Sequence, residues 1–314
     1  MHRYSRNRIG VGAVIRQFFY LLLWFFKVRI LKKCAPLQVV LFITDYCNLR
    51  CKHCAGAGHD GTRMKTFEIV REELEYAYGK GARFVDFEGG EPMLWRDNEY
   101  KINDLVRLSK QVGFYSATIT TNGQLPVRGC EADSIWVSVD GPPKIHDEIR
   151  GAGTFAILDT NIRESGRERL SINMTVNQIN KTYVADTIRY AKENPSIKSI
   201  SVNFHTPYPG VEELAVPPRE RNRIIDEVIS LKKQGYPIMN SRSGLEIMQH
   251  HSFKEECWLS AFILADGTKL DECPGKTCNI CDSCGFCMAG ETYCALRLKP
   301  DTILSALRLR LGTG

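Results

Sequence analysis

The chain has 314 residues, 43% hydrophobic and 25% charged, with a net charge of +6. That composition describes a globular protein large enough for one α/β core with a small appendage, and it excludes a disordered or fibrous chain. Eight basic residues, Arg3, Arg6, Arg8, Arg16, Lys27, Arg29, Lys32 and Lys33, fall within residues 1–33, which hold no acidic residue. The remainder is therefore slightly acidic, which argues against a nucleic-acid partner.

The first feature in chain order is Phe18 to Phe26, FFYLLLWFF, bracketed by Arg16 and Gln17 before it and by Lys27 and Arg29 after it. So short an apolar run cannot cross a hydrocarbon core, which takes about 20 residues. Three readings stand for residues 1–36. One is an interfacial helix on an anionic membrane surface. The second is a helix packed on the folded core or covering its end. The third is a spanning anchor or signal peptide, for which no small-residue cleavage site follows the run. The first reading implies a cytoplasmic protein, peripheral on the inner face of the membrane.

From residue 37 onward, apolar strand-like runs alternate with segments of helical spacing. Strands are expected over Leu37–Thr44, Arg83–Glu88, Tyr115–Thr121, Ser134–Val139, Leu170–Val176 and Lys198–His205. Helices are expected over Phe67–Lys80, Asn98–Val112, Thr154–Glu168, Lys181–Glu193 and Pro218–Gln234, the first two stopped by Gly81 and Gly113. Parallel strands joined by helical crossovers predict an α/β fold, a partial (β/α)6 TIM-like barrel over 37–240. A small cysteine-rich domain is expected over 241–300, with a Leu/Arg tail over 301–314.

Four distinctive motifs stand at predicted strand carboxyl ends, where such folds bind ligands. They are CNLRCKHC (Cys47 to Cys54), GGEP (Gly89 to Pro92), Asn122-Gly123, and SVDGP (Ser138 to Pro142). Cys47, Cys51 and Cys54 can reach three corners of an iron–sulfur cube, whereas most cluster sites use four thiolates. A zinc knuckle or a ferredoxin-like loop is the plainer reading of the same spacing. Glycines at 89 and 90 allow close backbone approach to a ligand. His146 and Asp147 read as a helix cap.

Of twelve cysteines, seven lie between Cys257 and Cys294. Without a convincing export signal, metal ligation in a reducing cytosol is the better reading than disulfides. Cys257, Cys273, Cys278, Cys281, Cys284, Cys287 and Cys294 are candidate ligands of iron–sulfur clusters, or of zinc in a ribbon, which C-x2-C pairs also build. Cys34 and Cys130 read as structural.

The three-cysteine loop resembles that of the radical S-adenosylmethionine (SAM) enzymes. The resemblance implies a [4Fe–4S] cluster on Cys47, Cys51 and Cys54, its open iron chelating the methionine amino and carboxylate groups of SAM. Gly89, Gly90, Glu91 and Pro92 resemble the loop that binds the SAM amino group. Residues 136–155, WVSVDGPPKIHDEIRGAGTF, are similar to anaerobic sulfatase-maturating and other peptide-modifying radical enzymes. In that family the residues matching Ser138 and Arg150 contact the ribose and carboxylate of SAM. Where the family often has an aromatic residue before the third cysteine, this chain has His53. The seven later cysteines resemble a SPASM domain with one or two auxiliary [4Fe–4S] clusters. Cys257, Gly267 and Cys273, and then Cys278, Cys281 and Cys287, follow its spacing; position 291 is Glu where a cysteine is expected, and Cys284 is extra.

The resemblance covers about residues 37–300. It implies a radical SAM enzyme of oxidoreductase or transferase type that abstracts hydrogen from a peptide or protein substrate, whereas the N-terminal helix favours a lipid-type one. It also implies an electron donor such as flavodoxin or ferredoxin. The alternatives are a non-catalytic iron–sulfur electron carrier and a zinc-ribbon protein.

Overall fold

The computed structural model describes residues 11–56, 61–166, 170–250 and 256–311. Arg3, Arg6, Arg8, the end of the helix expected over 154–168 and the last three tail residues lie outside them.

The six expected strands form, as β1 (Gln38–Thr44), β2 (Phe84–Gly89), β3 (Ser116–Thr121), β4 (Ser134–Ser138), β5 (Leu170–Val176) and β6 (Ile197–Phe204). They lie in chain order and all pair in parallel. Two further strands extend the sheet on the far side of β1: β7 (Ser260–Ile263), parallel to β1, and β8 (Lys269–Leu270), antiparallel to β7. The chain thus returns to the main sheet from within the cysteine-rich segment.

Helices α1 (Val11–Arg29), α2 (Phe67–Lys80), α3 (Ile102–Val112), α4 (Pro143–Arg150), α5 (Thr154–Arg163), α6 (Val184–Glu193) and α7 (Pro218–Lys233) are followed by α8 (Arg242–His250), α9 (Cys287–Leu296) and α10 (Pro300–Leu311). Gly81 and Gly113 end α2 and α3 in the left-handed conformation, each with φ near +116°. The helix expected from Asn98 begins instead at Ile102, because Arg96–Asp97 and Tyr100–Lys101 turn back as a short hairpin.

Strand alternation sorts the two faces of the sheet. Val39, Leu41 and Ile43 of β1, Val85 and Phe87 of β2, and Ile172 and Met174 of β5 join the main hydrophobic core with Leu74, Leu105, Leu158 and Ile225 of the surrounding helices. The opposite, concave face carries Asp86, Glu88, Thr118, Thr120, Ser171, Asn173, Thr175, Ser201 and Asn203. Register places Asp86 beside Thr118, Ser171 beside Ser199 and Thr175 beside Asn203. The Ser171 and Ser199 hydroxyls are 3.0 Å apart, and Asn203 donates to Asn173 at 2.8 Å. The barrel interior is thus largely polar, with Val40, Phe42 and Trp136 as its apolar members, while most of the apolar contribution to stability sits between strands and helices.

Helix α1 lies beneath the barrel. Its buried stripe, Gln17, Trp24 and Val28, forms a separate apolar cluster with Ala35 and Leu296, joined by Tyr20, Trp258 and Leu259. Among the described residues no helix is long and apolar enough to cross a membrane.

Candidate functional site

All four motifs meet at the carboxyl ends of β1 to β4. The cysteine loop leaves β1 at Thr44, and the GGEP loop leaves β2 at Gly89. Gly90 N–H donates to the Thr44 carbonyl and Glu91 N–H to the Tyr46 carbonyl, both at 2.8 Å. This clasp is the physical reason for the glycines. A Cβ on Gly89, which has φ +138°, would lie 2.0 Å from the Thr44 oxygen, and one on Gly90 2.1 Å from the Tyr46 oxygen. The close approach is to the neighbouring loop's own backbone. Glu91 is buried, and its carboxylate accepts from Met93 N–H at 3.0 Å, Thr121 Oγ1 at 2.7 Å and Asn122 N–H at 2.7 Å. It ties the loops after β2 and β3 together, and Pro92 opens the single 3-10 turn that follows.

The thiols are held by donors from three directions. Leu49 N–H lies 3.4 Å from Cys47 Sγ, Asn122 Nδ2 3.8 Å from the same sulfur, and Arg150 Nη1 3.9 Å from Cys51 Sγ. The Lys52 N–H donates to the Ile149 carbonyl at 2.9 Å, which docks the loop on the end of α4. Burial pushes the Cys51 thiol up to about 11 against the pull of Arg150, with Cys54, Asp140 and Cys47 adding to the rise. Neighbouring thiols that resist ionising together are a donor set for a polycation. Among the described residues no three His, Cys, Asp or Glu side chains converge as they would round a single ion. A cube is larger than an ion and spreads its ligands more widely, so a three-thiol loop with N–H donors and a guanidinium fits a cluster.

Arg150 and Asp140 form a buried pair, Nε to Oδ2 at 2.6 Å. The other carboxylate oxygen of Asp140 accepts from Thr175 N–H at 2.8 Å, so the residue orients Arg150 toward the cysteines. Ser138, mostly buried, ends β4 opposite Asn173. Asp147 caps a helix as expected, but the next one: it accepts from Gly153 and Phe155 N–H at the start of α5. His146 is no cap. It sits within α4, its Nδ1 accepts from Asp140 N–H at 3.2 Å, and its Nε2 is buried without a partner in the described structure. Burial lowers His53 to about 4, so the ring is neutral near pH 7 and its 3.7 Å approach to Asp140 is not an ion pair. His53 Nδ1 is likewise buried with no hydrogen-bond partner beside the third cysteine. Such an unsatisfied polar atom fits a site completed by a bound cofactor.

Residues 41–191 match the Radical SAM superfamily. The matched segment is 151 of the 314 residues, just under half of the chain. It is 26% identical over 276 residues to an AdoMet-dependent heme synthase of Methanosarcina barkeri, covering 82% of this chain and 75% of that protein. It is 27% identical over 170 residues to a GTP 3′,8-cyclase of Actinobacillus succinogenes, covering 49% of this chain and 50% of that one. The matched segment thus spans about half the length of the cyclase. In fold it is similar to Streptococcus suis SuiB bound to precursor peptide SuiA, with TM-score 0.60 and 18% identity over 78% of this chain and 61% of SuiB.

Around its second group of cysteines, the chain brings Cys257 against Cys273, with the charges of Cys281 and Cys284 felt by Cys257 and that of Cys278 felt by Tyr208. Hydrogen bonds from Cys257 and, more weakly, from Gly275 N–H and Tyr208 bring the Cys273 thiol down to about 6, against the effect of burial. Cys287 is fully buried on the first turn of α9, beside Cys284. Cys294, two helical turns further along the same face, is buried among the charges of Glu291, Asp301, Lys299 and Arg297. Arg221 of α7, which sequence reading passed over, donates from Nη1 to the Cys284 carbonyl at 3.5 Å, and its Nε is buried without a partner. Its charge is felt by Cys284 and Cys287, but its contact is with a backbone carbonyl, whereas Arg150 reaches the Cys51 sulfur. An arginine in a plain amphipathic helix gave no signal of this.

Glu291, at the position where the auxiliary pattern expects a cysteine, is a strut between α8 and α9. Its Oε1 accepts from Ser241 N–H at 2.7 Å. Burial raises its pKa to about 7, the Ser241 bonds opposing the rise. A raised carboxyl stabilises the fold fully below the ordinary value near ~4.3 and loses that contribution as pH rises through about 7. Urea unfolding should therefore show wild type losing on the order of 2–3 kcal/mol relative to Glu291→Gln between about pH 4.5 and pH 8. Parallel pH profiles for the two proteins would contradict this.

Proposed function

We propose that the chain is a radical SAM enzyme acting on a peptide or protein. The observation that carries this reading is the three-thiol loop, clasped by GGEP and backed by Arg150. Cys47, Cys51 and Cys54 hold a [4Fe–4S] cluster; Gly89, Gly90, Glu91, Pro92, Ser138 and Arg150 form the SAM-binding surface. When bound, the cluster and SAM supply reductive cleavage to a 5′-deoxyadenosyl radical able to abstract a substrate hydrogen. The protein's own part is to fix the loop, place a guanidinium beside it and keep His53 and His146 neutral. The later cysteines, with Arg221, hold one or two auxiliary clusters in a SPASM-like segment, and a flavodoxin- or ferredoxin-type donor supplies electrons. The peptide class is supported by the largely polar barrel interior and by the likeness in fold to SuiB, which in that structure is bound to a precursor peptide.

Anaerobic reconstitution with iron and sulfide, followed by SAM and dithionite, tests the reading without a known substrate. The expected result is formation of 5′-deoxyadenosine. A fully loaded cluster protein that leaves SAM intact would mark an electron carrier, and zinc in the later cysteines would mark a ribbon.

A further inference from the structure

Helix α1 has two unlike faces. One is docked, and apart from Leu296 at the end of α9 its partners there lie at the amino ends of strands. Tyr20 OH donates to the Gly81 carbonyl at 2.5 Å, and Arg83, just before β2, stacks over its ring at 5.3 Å. Tyr20 also meets Tyr115, just before β3, with ring centroids 5.6 Å apart. Trp24 Nε1 donates to the Ala35 carbonyl ahead of β1 at 2.9 Å, and the ring meets Trp258 ahead of β7 at 6.3 Å. The other face is open. Phe18, Phe19, Leu22, Leu23, Phe26 and Ile30 are each between 52% and 67% exposed. Arg16, Lys27, Arg29, Lys32 and Lys33 are exposed beside them. A cleft of about 330 Å³ between α1 and the end of α2 is lined by Lys27, Lys80 and Arg83.

We infer that this face lies in an anionic phospholipid bilayer surface, and that the bound enzyme turns its three-cysteine loop away from the lipid. Large apolar side chains flanked by cations describe an interfacial helix, the apolar face entering the headgroup region while the cations meet lipid phosphates. Lys27 gives the cleft a cation for a phosphate headgroup, while Lys80 faces Asp271 at 3.8 Å and Arg83 donates to the Tyr78 and Ala82 carbonyls. A second copy of the chain is a poorer occupant, since two such faces would oppose like charges, with no acid in residues 1–33 to offset them. The docked face fixes the orientation. The helix sits under the strands' amino ends, and the cysteine loop sits at their carboxyl ends, about 20 Å away along seven-residue β1. The substrate therefore arrives from the aqueous side, which rests on the proposed activity at that loop and favours a peptide over a membrane-buried lipid.

Co-sedimentation of the full chain with vesicles tests the surface, using phosphatidylglycerol in phosphatidylcholine against phosphatidylcholine alone. Binding should be at least tenfold stronger to the anionic vesicles and should weaken at 1 M salt, where the screening length is about 3 Å. Phe18→Ser/Leu22→Ser/Phe26→Ser and, separately, Lys27→Glu/Arg29→Glu should each bind at least tenfold more weakly. Both variants should still cleave SAM with dithionite, so loss of vesicle binding and loss of the proposed activity are read separately. A fluorescent residue at position 22 should be quenched by brominated acyl chains, and one at position 148, beside the cysteine loop, should not. No binding to anionic vesicles, a soluble dimer broken by the triple serine change, binding indifferent to charge, or quenching at 148 would overturn the inference.

Discussion

Replacing Cys47, Cys51 and Cys54 together by alanine is expected to abolish 5′-deoxyadenosine formation in the reconstituted, reduced protein. The loop supplies the thiols at the carboxyl end of β1, and the groups beside them are donors that cannot replace a thiolate ligand. Leu49 N–H, Asn122 Nδ2 and Arg150 Nη1 all point at sulfur. The fold should survive, since the loop is anchored by backbone bonds from Gly90, Glu91 and Lys52 and not by the sulfurs. The variant should also retain about four to eight iron atoms per chain in the later cysteines, each cube holding four. Cleavage of SAM at the wild-type rate by the triple variant would remove the proposed activity from this loop. Loss of all iron would instead show that the second cysteine group depends on the first.

Breaking the Asp140–Arg150 pair should have the largest effect on stability of any single change in the site. Both groups are buried, so removing one partner leaves an uncompensated charge in a low-dielectric region, a loss of about 3–5 kcal/mol. Arg150→Ala and Asp140→Ala should each show it in urea unfolding. The double variant should lose much less than their sum, because the second removal discards a charge already unpaired. Burial would raise the Asp140 carboxyl, but Arg150, with His53, His146 and the Thr175 N–H, keeps it below the ordinary value. A depressed carboxyl contributes fully above the ordinary value near ~3.9 and loses its contribution as pH falls through the lower folded one. Wild type should thus lose stability faster than Asp140→Ala only in that acid range. Additive losses in the double variant would show that the two residues act apart. Arg150→Lys keeps the charge but not the planar fork, so it should recover part of the stability while SAM affinity stays well below wild type.

The barrel was legible because its strands are long, apolar and punctuated. Gly81, Gly113 and the turn after Asn122 mark ends that the structure keeps. What escaped reading depended on contacts distant in sequence. The eight-residue helix α4 opens on two prolines inside the DGPP turn, so its helical spacing was hidden in a motif read for chemistry. The four-residue β7 has no strand signal of its own and exists because β1 offers an edge, Gln38 donating to Ser260 across 222 positions. Gly89 and Gly90 were rightly singled out, but the backbone they admit belongs to Thr44 and Tyr46, and only the fold could place that strand end beside them. For the N-terminal run, the covering helix and the exposed apolar face were read as alternatives; they are two faces of one helix.

The cluster beneath the barrel also sets a timetable for synthesis. Trp24 and Val28 are covered by Trp258, Leu259 and Leu296, the last of which is translated more than two hundred residues later. At ~5–20 residues per second, the docking stripe of α1 stays bare on the ribosome for on the order of ten seconds or more. The sheet likewise waits for residue 260 before β1 gains its second neighbour. For that interval a nascent chain carries a helix apolar on both faces, a hazard for aggregation until the fold covers one of them.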